Sequence, residues 1–361
     1  MARRGAQPRS QARRTRLFAA STPGLSRMLR HQLDAIDGID VTGTGFDGRA
    51  DIVFFDADRA GRGDALRSRL AEDVFAEIGR ASRAGGSGAA AVASMAWQPD
   101  AVQRALSVWA DEVRPLTGSM TYRVIVRVVS EARFLRTDLR RALADLIARD
   151  KPRWRFADSA QLEVWISEYH DGQYVAGLRL GGEHPTGHTG REAERQGALP
   201  PAVAAAMVEL AGLTAAAGQT GGTLLDPCCG SGAILAEALA AGWAAEGTDI
   251  DAAALEVATR IAPGATVQLG DARELLLPDD SVTACVSRLP SGQQFGEPDG
   301  WQDSVAAVLA EMSRVTRSGG SVVLLAPELP RPVIPGTLRL RKQVPVRLPR
   351  GPASIWALRR A

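Results

Sequence analysis

The feature that most constrains this chain is a glycine-rich turn in the stretch GTLLDPCCGSGAILAEA, residues 222–238. An apolar run ends at Asp226, Gly230 and Gly232 follow, and an alanine-rich run begins at Ala233. This order predicts a strand, a nucleotide-binding loop and a helix. Because the two glycines lack a Cβ, a ligand can approach their backbone N–H groups at the positive end of the helix. We expect Asp226 to accept hydrogen bonds from an amine or a hydroxyl group.

The spacing within this turn separates classes of nucleotide ligand. A dinucleotide loop of the G-x-G-x-x-G type needs a third glycine where Leu235 stands. A Walker-type loop needs a lysine, and the two lysines of the chain, Lys151 and Lys342, lie far from the turn. The remaining pattern, Asp-Pro-Cys-Cys-Gly-Ser-Gly, resembles the S-adenosylmethionine loop of class I methyltransferases, in the branch that modifies exocyclic amines of bases. A tight turn without a ligand is the alternative.

Three acids follow three successive predicted strands: Asp226, Asp249 and Asp271. A carboxylate at the end of the second strand can accept from both hydroxyls of a ribose. The resemblance implies that Asp249 holds the ribose, that Ile250 packs on adenine and that Asp271 accepts from the adenine amine. Each acid alone could instead be a helix N-cap. The full set that the resemblance assigns to S-adenosylmethionine is Asp226, Cys228, Gly230, Gly232, Asp249, Ile250, Asp271 and Ala272.

From residue 222 onward, strand and helix patterns alternate along the chain. Short connections and right-handed crossovers turn this alternation into a mostly parallel sheet with helices on both faces. The last two apolar runs, Leu338–Val344 and Ser354–Leu358, have no helix between them and predict an antiparallel edge hairpin. We therefore expect residues 201–361 to be a class I methyltransferase domain with a Rossmann-like α/β fold.

The N-terminal half carries a second resemblance. The segments FAASTPGL (18–25) and LAEDVF (70–75), with the strand and helix patterns up to residue 180, resemble the ferredoxin-like segment and THUMP domain of tRNA-modifying enzymes. This implies an α/β RNA-binding region that contacts the acceptor end of tRNA. Within it, the run Leu66–Ile78 predicts a helix. The predicted organisation is a disordered basic tail (1–16), an N-terminal ferredoxin-like domain (17–90), a THUMP domain (95–182) and a linker (183–200).

Charge is distributed unevenly. The chain has a net charge of +2, and residues 1–16 hold six arginines and no acid, so the remainder sums to −4. The surface outside the N-terminal segment is therefore not uniformly basic. Between Arg123 and Arg155, however, ten basic residues accompany four acids, and the aromatic residues Trp154 and Phe156 end this segment. Basic and aromatic residues together in a compact unit favour an RNA-contacting surface.

The target-base site is expected in VSRLPSGQQFG, residues 286–296. The resembled family carries Asn/Asp-Pro-Pro-Tyr or Asn-Leu-Pro-Phe here. Its Asn oxygen and a proline carbonyl accept from the base amine, and its ring stacks on the base. In this chain Leu289 and Pro290 fit, but Arg288 replaces the Asn and Ser291 the aromatic residue. A guanidinium has only donors.

The alternative acceptors at the target site are Ser287, Gln293 and the backbone carbonyl of Leu289 or Pro290, with Phe295 as the stacking ring. The predicted function is S-adenosylmethionine-dependent methylation of an exocyclic amine in RNA, with guanine N2 of tRNA as the specific target. One alternative is a noncatalytic RNA-binding protein that keeps the methyltransferase fold. Another is a methyltransferase for DNA or a small molecule.

Several classes of protein and site are disfavoured. No apolar run of about eighteen residues predicts a membrane span, and no apolar signal core follows the basic N-terminus. Three cysteines without metal spacing fit a reducing cytoplasm. His184 and His188 lie in a connector without a nearby acid or thiol pattern, so we expect no metal. The oligomeric state is left open.

Overall fold

The computed structural model describes residues 14–82, 88–129, 134–181, 199–214, 222–289, 301–329, 333–349 and 351–361. The chain divides into two compact units. Unit 1 comprises residues up to 187 except 22–25, and unit 2 comprises residues 22–25 and 188–361.

In its described part, unit 1 is built on eight strands. Their bounds are β1 (Thr15–Ser21), β2 (Ile39–Phe46), β3 (Asp51–Ala57), β4 (Asp73–Ser82), β5 (Thr121–Arg127), β6 (Arg155–Phe156), β7 (Leu162–His170) and β8 (Gln173–Arg179). They form one sheet in the order β2-β3-β1-β4-β8-β7-β5-β6. β5 is parallel to both β6 and β7, and the other neighbours are antiparallel.

The helices of unit 1 pack on this sheet through apolar stripes. Their bounds are α1 (Ser26–Asp34), α2 (Arg59–Leu66), α3 (Ala89–Ala96), α4 (Pro99–Glu112) and α5 (Arg136–Asp150). In α4, Pro99 occupies the first turn, where a missing N–H costs nothing. Its buried residues Val102, Leu106 and Trp109 recur at helical spacing and face the sheet. Both α3 and α4 contact β4.

Aromatic side chains fill the middle of the sheet in unit 1. Phe18 of β1 stacks on Phe75 of β4 with ring centroids 4.7 Å apart. Gly177 of β8 lies against both rings, since a Cβ there would be 2.6 Å from Phe18 and 2.9 Å from Phe75. The glycine therefore makes room for the aromatic pair.

Unit 1 corrects two expectations. The predicted helix Leu66–Ile78 is wrong, because α2 ends at Leu66 and residues from Asp73 form the buried strand β4. The predicted tail through residue 16 is too long, since β1 begins at Thr15. Strands of the predicted 17–90 and 95–182 domains share one sheet, and their division into two domains stays a prediction. The predicted linker, 183–200, lies almost entirely outside the described residues.

In its described part, unit 2 has seven strands and four helices. The strands are β9 (Thr223–Asp226), β10 (Ala244–Asp249), β11 (Thr266–Leu269), β12 (Val282–Arg288), β13 (Thr316–Ala326), β14 (Leu338–Leu348) and β15 (Gly351–Arg360). The helices are α6 (Pro201–Thr214), α7 (Ala233–Ala240), α8 (Ala252–Ile261) and α9 (Trp301–Val315).

The sheet of unit 2 runs in the order β11-β10-β9-β12-β13-β15-β14. The first five strands are parallel, and β15 is antiparallel to both of its neighbours. β12 is buried from Val282 through Ser287, as expected for a central strand with both faces covered. The expected parallel sheet with an antiparallel edge hairpin is confirmed, and it aligns the carboxyl ends of five strands along one edge.

Candidate active site

The candidate site lies at the carboxyl edge of the unit 2 sheet, where the strand order reverses. From β9 the chain adds β10 and β11 on one side, and then β12 and β13 on the other. In open α/β sheets, ligands bind outside the carboxyl ends of the strands at such a reversal. The loop 227–232 leaves β9 at this point, and Leu289 follows β12.

Both glycines of the loop have left-handed backbone conformations, with φ of 50° at Gly230 and 85° at Gly232. The N–H of Gly230 donates to Asp249 at 2.8 Å. Among the described residues, a Cβ on Gly230 would have no heavy atom within 4 Å, so that part of the structure leaves space above this residue for a ligand. A Cβ on Gly232 would lie 3.0 Å from the Cα of Ala258 on α8. Gly230 therefore offers room to a ligand, whereas Gly232 permits helix packing.

Thr248 ties this loop to the neighbouring strand β10. Its backbone carbonyl accepts from Cys229 N–H at 2.9 Å, and its hydroxyl donates to the carbonyl of Pro227 at 3.0 Å. Sequence reasoning did not assign Thr248 a role. The only local signal was its place directly before Asp249 in the strand. Its two bonds fix the entry and the middle of the loop.

Asp226 lies beneath the loop and is 1% exposed. One carboxylate oxygen accepts from the Ser287 hydroxyl at 2.7 Å and from Cys228 N–H at 3.2 Å. Burial raises the pKa of Asp226 to about 7, while the bonds from Ser287 and Cys228 oppose the shift and the charge of Asp249 adds to it. These bonds are made to protein groups, so Asp226 joins β9 to β12.

The Ser287 hydroxyl is fully buried and donates to Asp226. The role of Ser287 as a replacement acceptor for a base amine therefore stays a hypothesis, which would require the base amine to reach a buried hydroxyl group.

Asp249 and Ile250 end β10 at the open edge. The Asp249 carboxylate accepts from Gly230 N–H at 2.8 Å and from Asp251 N–H at 2.9 Å, one bond to each oxygen. A carboxylate oxygen can accept more than one bond, so capacity remains for hydroxyl groups. The side chain of Ile250 is 69% exposed, which is unusual for an isoleucine and leaves an apolar face for a ring.

Asp271 forms an ion pair that the sequence analysis missed. Arg273 donates to its carboxylate at 2.6 Å and lies two residues away. Hydrogen bonds from Arg273 lower the pKa of Asp271. The adjacent Ala272 is buried. A ligand amine at Asp271 would therefore meet a carboxylate that is already bound by a guanidinium. The sequence signal for this ion pair is the Asp-Ala-Arg order, which places the arginine two residues after the acid.

Comparison with known proteins agrees with this geometry. Residues 189–333 match the family model described as RMKL-like, methyltransferase domain. TrmN from Thermus thermophilus superposes with a TM-score of 0.74 at 22% identity, over 96% of this chain and 100% of that one. A possible methylase from Clostridium difficile 630 gives 0.68 at 14% identity, over 97% and 99%. No curated protein matches by sequence.

This chain has the fold of a class I methyltransferase preceded by a THUMP-type region. The fold class expected from the sequence is confirmed along both units. S-adenosylmethionine is the usual cofactor of class I methyltransferases, and the loop after β9 fits it, since open space lies over Gly230 and an exposed apolar side chain stands at Ile250.

In the methyltransferase unit, the expected target-base residues divide into two groups. Arg288 is half-buried at the end of β12, opposite Leu325. Leu289 is 4% exposed, donates its N–H to the Leu325 carbonyl at 3.1 Å and belongs to the core. The side chain of Leu289 is therefore structural. Outside the described residues lie Pro290, Ser291, Gln293 and Phe295.

The three cysteines of the methyltransferase unit are free thiols. Burial raises the pKa of Cys228 to about 12, that of Cys285 to about 12, and that of Cys229 as well. All three are therefore protonated near neutral pH. Among the described residues, no group of three or more His, Cys, Asp or Glu side chains is arranged to hold a metal ion. No helix in the described part of the chain is long and apolar enough to span a membrane.

Proposed function

We propose that this protein methylates an exocyclic amine of a base in RNA, with guanine N2 of tRNA as its specific target, using S-adenosylmethionine. The observation that carries this proposal is the open loop Cys228–Gly232 at the strand-order reversal of a class I methyltransferase sheet. We further propose that the reaction takes place in the cytoplasm, where the free cysteines would stay reduced.

The cofactor residues are proposed as follows. Gly230 and Gly232 shape the loop, Asp249 accepts from the ribose hydroxyls, and Ile250 packs on the adenine. Asp271, held by Arg273, accepts a hydrogen bond from the adenine amine. Asp226 supports the loop from beneath, with Cys228 and Ala272 as packing neighbours. When bound, S-adenosylmethionine supplies a methyl group already activated on sulfur, so the protein mainly orients the nucleophile and excludes water.

An aromatic and basic surface of unit 1 supports an RNA substrate. Phe156 on the short strand β6 is 45% exposed, and the guanidinium of Arg140 lies 5.4 Å from its ring centroid. The ring of Tyr122 meets Phe156 edge to face at 5.8 Å. Exposed rings and guanidinium planes are the groups on which unpaired RNA bases stack. We propose that this surface contacts the acceptor end of tRNA.

The test is methylation of tRNA by the purified full-length protein with isotopically labelled S-adenosylmethionine. The RNA is then digested to nucleosides and analysed by mass spectrometry. We expect labelled N2-methylguanosine. A label on another exocyclic amine would correct the target, and a label on DNA or a small molecule in place of RNA would overturn the proposal.

A second candidate is a noncatalytic RNA-binding protein, and Arg288 favours it. Its guanidinium cannot accept a hydrogen bond from a base amine. Calorimetry with S-adenosylmethionine, combined with RNA binding, separates the two candidates. Binding of RNA without methyl transfer would favour this one.

The Arg288→Asn variant tests whether residue 288 faces the amine of the target base. We expect faster methylation, because an amide oxygen can accept from the amine. Arg260→Asn, on the exposed last turn of α8, is the matched control. An unchanged rate in both variants would mean that Arg288 does not face the target base.

A further inference from the structure

Unit 1 contains a cleft of about 740 Å³ to which no role has yet been given. Its walls are the start of β1, the second half of β4 and the first turns of α4. Four of the lining residues are arginines: Arg14, Arg16, Arg80 and Arg104. The acids of the lining are Glu77 and Asp100. We call this feature the arginine cleft. Its volume lies within the range of about 300–1,000 Å³ that is common for ligand sites.

A β-bulge in β4 sets the orientation of the cleft wall. Glu77 pairs with Gly177 of β8 and Gly79 with Ala176, which leaves Ile78 as the extra residue. In a regular strand, residues three apart face opposite sides of the sheet. Because the bulge adds one residue, Arg80 returns to the side of Glu77 and binds its carboxylate at 2.9 Å.

The negative charge of Glu77 is neutralised by an arginine of the same wall. Its side chain is only 4% exposed and is bound by Arg80 through three contacts of 2.9–3.2 Å. Arg16 comes within 3.9 Å of the same carboxylate, but its side chain is 75% exposed. Arg80 therefore acts as a structural counter-ion, whereas most of Arg16 remains open to solvent.

The other side of the cleft adds positive potential. Arg104 is exposed on α4 and makes no ion pair among the described residues. Asp100, in the first turn of α4, is the one exposed acid of the lining. The lining as a whole holds four cations and two carboxylates. Because Arg14 also pairs with Asp40 outside the lining, and Arg80 pairs with Glu77, the remaining cations are Arg16 and Arg104, opposed by Asp100, which leaves a surplus of one positive charge. Guanidinium groups match phosphate in geometry because they can donate two parallel hydrogen bonds.

We propose that the arginine cleft binds the sugar-phosphate backbone of an RNA strand, with Arg16 and Arg104 as the contacting side chains. This rests on the proposed function, which requires that RNA be held by groups other than the reacting base. A concave cleft admits a strand more readily than it admits the flat surface of a membrane. Phosphate contacts position RNA without reading its sequence.

The test measures RNA affinity by fluorescence anisotropy as a function of salt, with labelled oligouridylate, oligoadenylate and tRNA. The double variant Arg16→Gln, Arg104→Gln removes both contacts and leaves the Arg80–Glu77 pair intact. The double variant Arg30→Gln, Arg59→Gln is the matched control, because both arginines are exposed on helices of unit 1 away from the cleft. Thermal unfolding verifies that both proteins are folded.

We expect the cleft variant to bind every RNA roughly tenfold more weakly and to reduce the salt slope by about 1.4, since each lost single-strand phosphate contact removes about 0.7. The control should match the wild type. The conservative variant Arg16→Lys, Arg104→Lys should restore the salt slope. Equal effects of the cleft and control variants would overturn the proposal.

Methylation on the same proteins separates the two proposals. If the wild type methylates RNA and the cleft variant keeps full RNA affinity, the cleft assignment fails while the proposed function stands. If the wild type binds RNA through the cleft without methylating any nucleoside, the proposed function fails and the cleft assignment stands. Cleft-dependent binding to vesicles of anionic phospholipid, with no binding to RNA, would overturn the assignment to RNA.

Discussion

Asp226 is a buried acid whose protonation changes between the folded and unfolded states. Burial raises its pKa from 3.8 to about 7, so the folded protein holds a proton that the unfolded chain has already released. Between these values the unfolded state binds fewer protons, and folding stability therefore falls as pH rises. This loss of folding stability is complete above about pH 7. Each unit of difference between the folded and unfolded pKa corresponds to about 1.4 kcal/mol, so the total loss of folding stability is about 4 kcal/mol.

The Asp226→Asn variant should remove this dependence while keeping an oxygen that accepts from Ser287. We expect its urea-unfolding free energy to decline less steeply than that of the wild type between about pH 4 and about pH 7. A residual slope is expected, because burial also raises the pKa of Asp73. Asp271→Asn serves as the control, because the lowered pKa of Asp271 places its titration below that window. A wild-type profile without slope would contradict the proposed protonation of Asp226.

The two loop glycines should respond differently to a methyl group. We expect Gly230→Ala to cost about 1 kcal/mol of stability for its left-handed backbone. It should also weaken S-adenosylmethionine binding roughly tenfold, or about 1.4 kcal/mol, because the Cβ enters the open space. We expect Gly232→Ala to cost about 2–3 kcal/mol, because its Cβ also presses on Ala258. Calorimetry and urea unfolding measure the two effects, and unchanged binding by Gly230→Ala would argue against the loop as the cofactor site.

Among the elements, those of unit 2 follow from the sequence and some of unit 1 do not. β12 is buried from Val282 through Ser287, and its mostly apolar residues 282–286 predict a central parallel strand. β4 is also buried on both faces, and its run Val74–Ile78 shows no alternation. Without alternation, sequence pattern alone does not distinguish a buried strand from a buried helix, and here the pattern favours the wrong one. The edge strand β2 contains two glycines and carries little apolar signal. α3 consists largely of alanine, and its mixed pattern carries no clear apolar stripe.

The candidate site shows the same limit at the level of contacts. The glycines and acids form a local pattern that sequence can reveal. The bond between Asp226 and Ser287 joins residues 61 positions apart, and only the pairing of β9 with β12 brings them together. The role of Thr248 likewise depends on the parallel pairing of β10 with β9.

The bulged strand β4 gives a prediction at this scale. A Cβ on Gly79 would lie 2.4 Å from the carbonyl oxygen of Ala96, at the end of α3. We expect Gly79→Ala to destabilise unit 1 by about 1–3 kcal/mol, since the helix must move off the strand. Gly63→Ala on α2 is the control and should stabilise by up to about 1 kcal/mol, because its nearest neighbour is a flexible arginine end at 3.7 Å. Urea unfolding measures both, and similar shifts would refute the close approach of α3 to β4.

In the whole molecule, the proposed cofactor site and the proposed RNA site lie in different units. The loop around Gly230 belongs to unit 2, and the arginine cleft belongs to unit 1. We expect Gly230→Ala to keep RNA affinity, and the cleft double variant to keep S-adenosylmethionine affinity. A variant that combines Gly230→Ala with the cleft substitutions should lose as much S-adenosylmethionine-binding free energy as Gly230→Ala alone. It should lose as much RNA-binding free energy as the cleft variant alone, in both cases within about 0.5 kcal/mol, as expected for independent sites. Calorimetry and anisotropy on the full-length variants test this, and a large deviation from additivity would mean that the two ligands are energetically coupled.

The position of β15 has a consequence for biosynthesis. This strand follows β14 in the chain but is inserted between β13 and β14. While a ribosome is still translating residues 351–360, β13 has been made but lacks its neighbour, and its apolar edge is unprotected. An unpaired strand of this kind is a template for aggregation. Until translation delivers β15, the edge of β13 therefore stays unpaired, and β14, whose one neighbour in the described sheet is β15, has no strand to pair with.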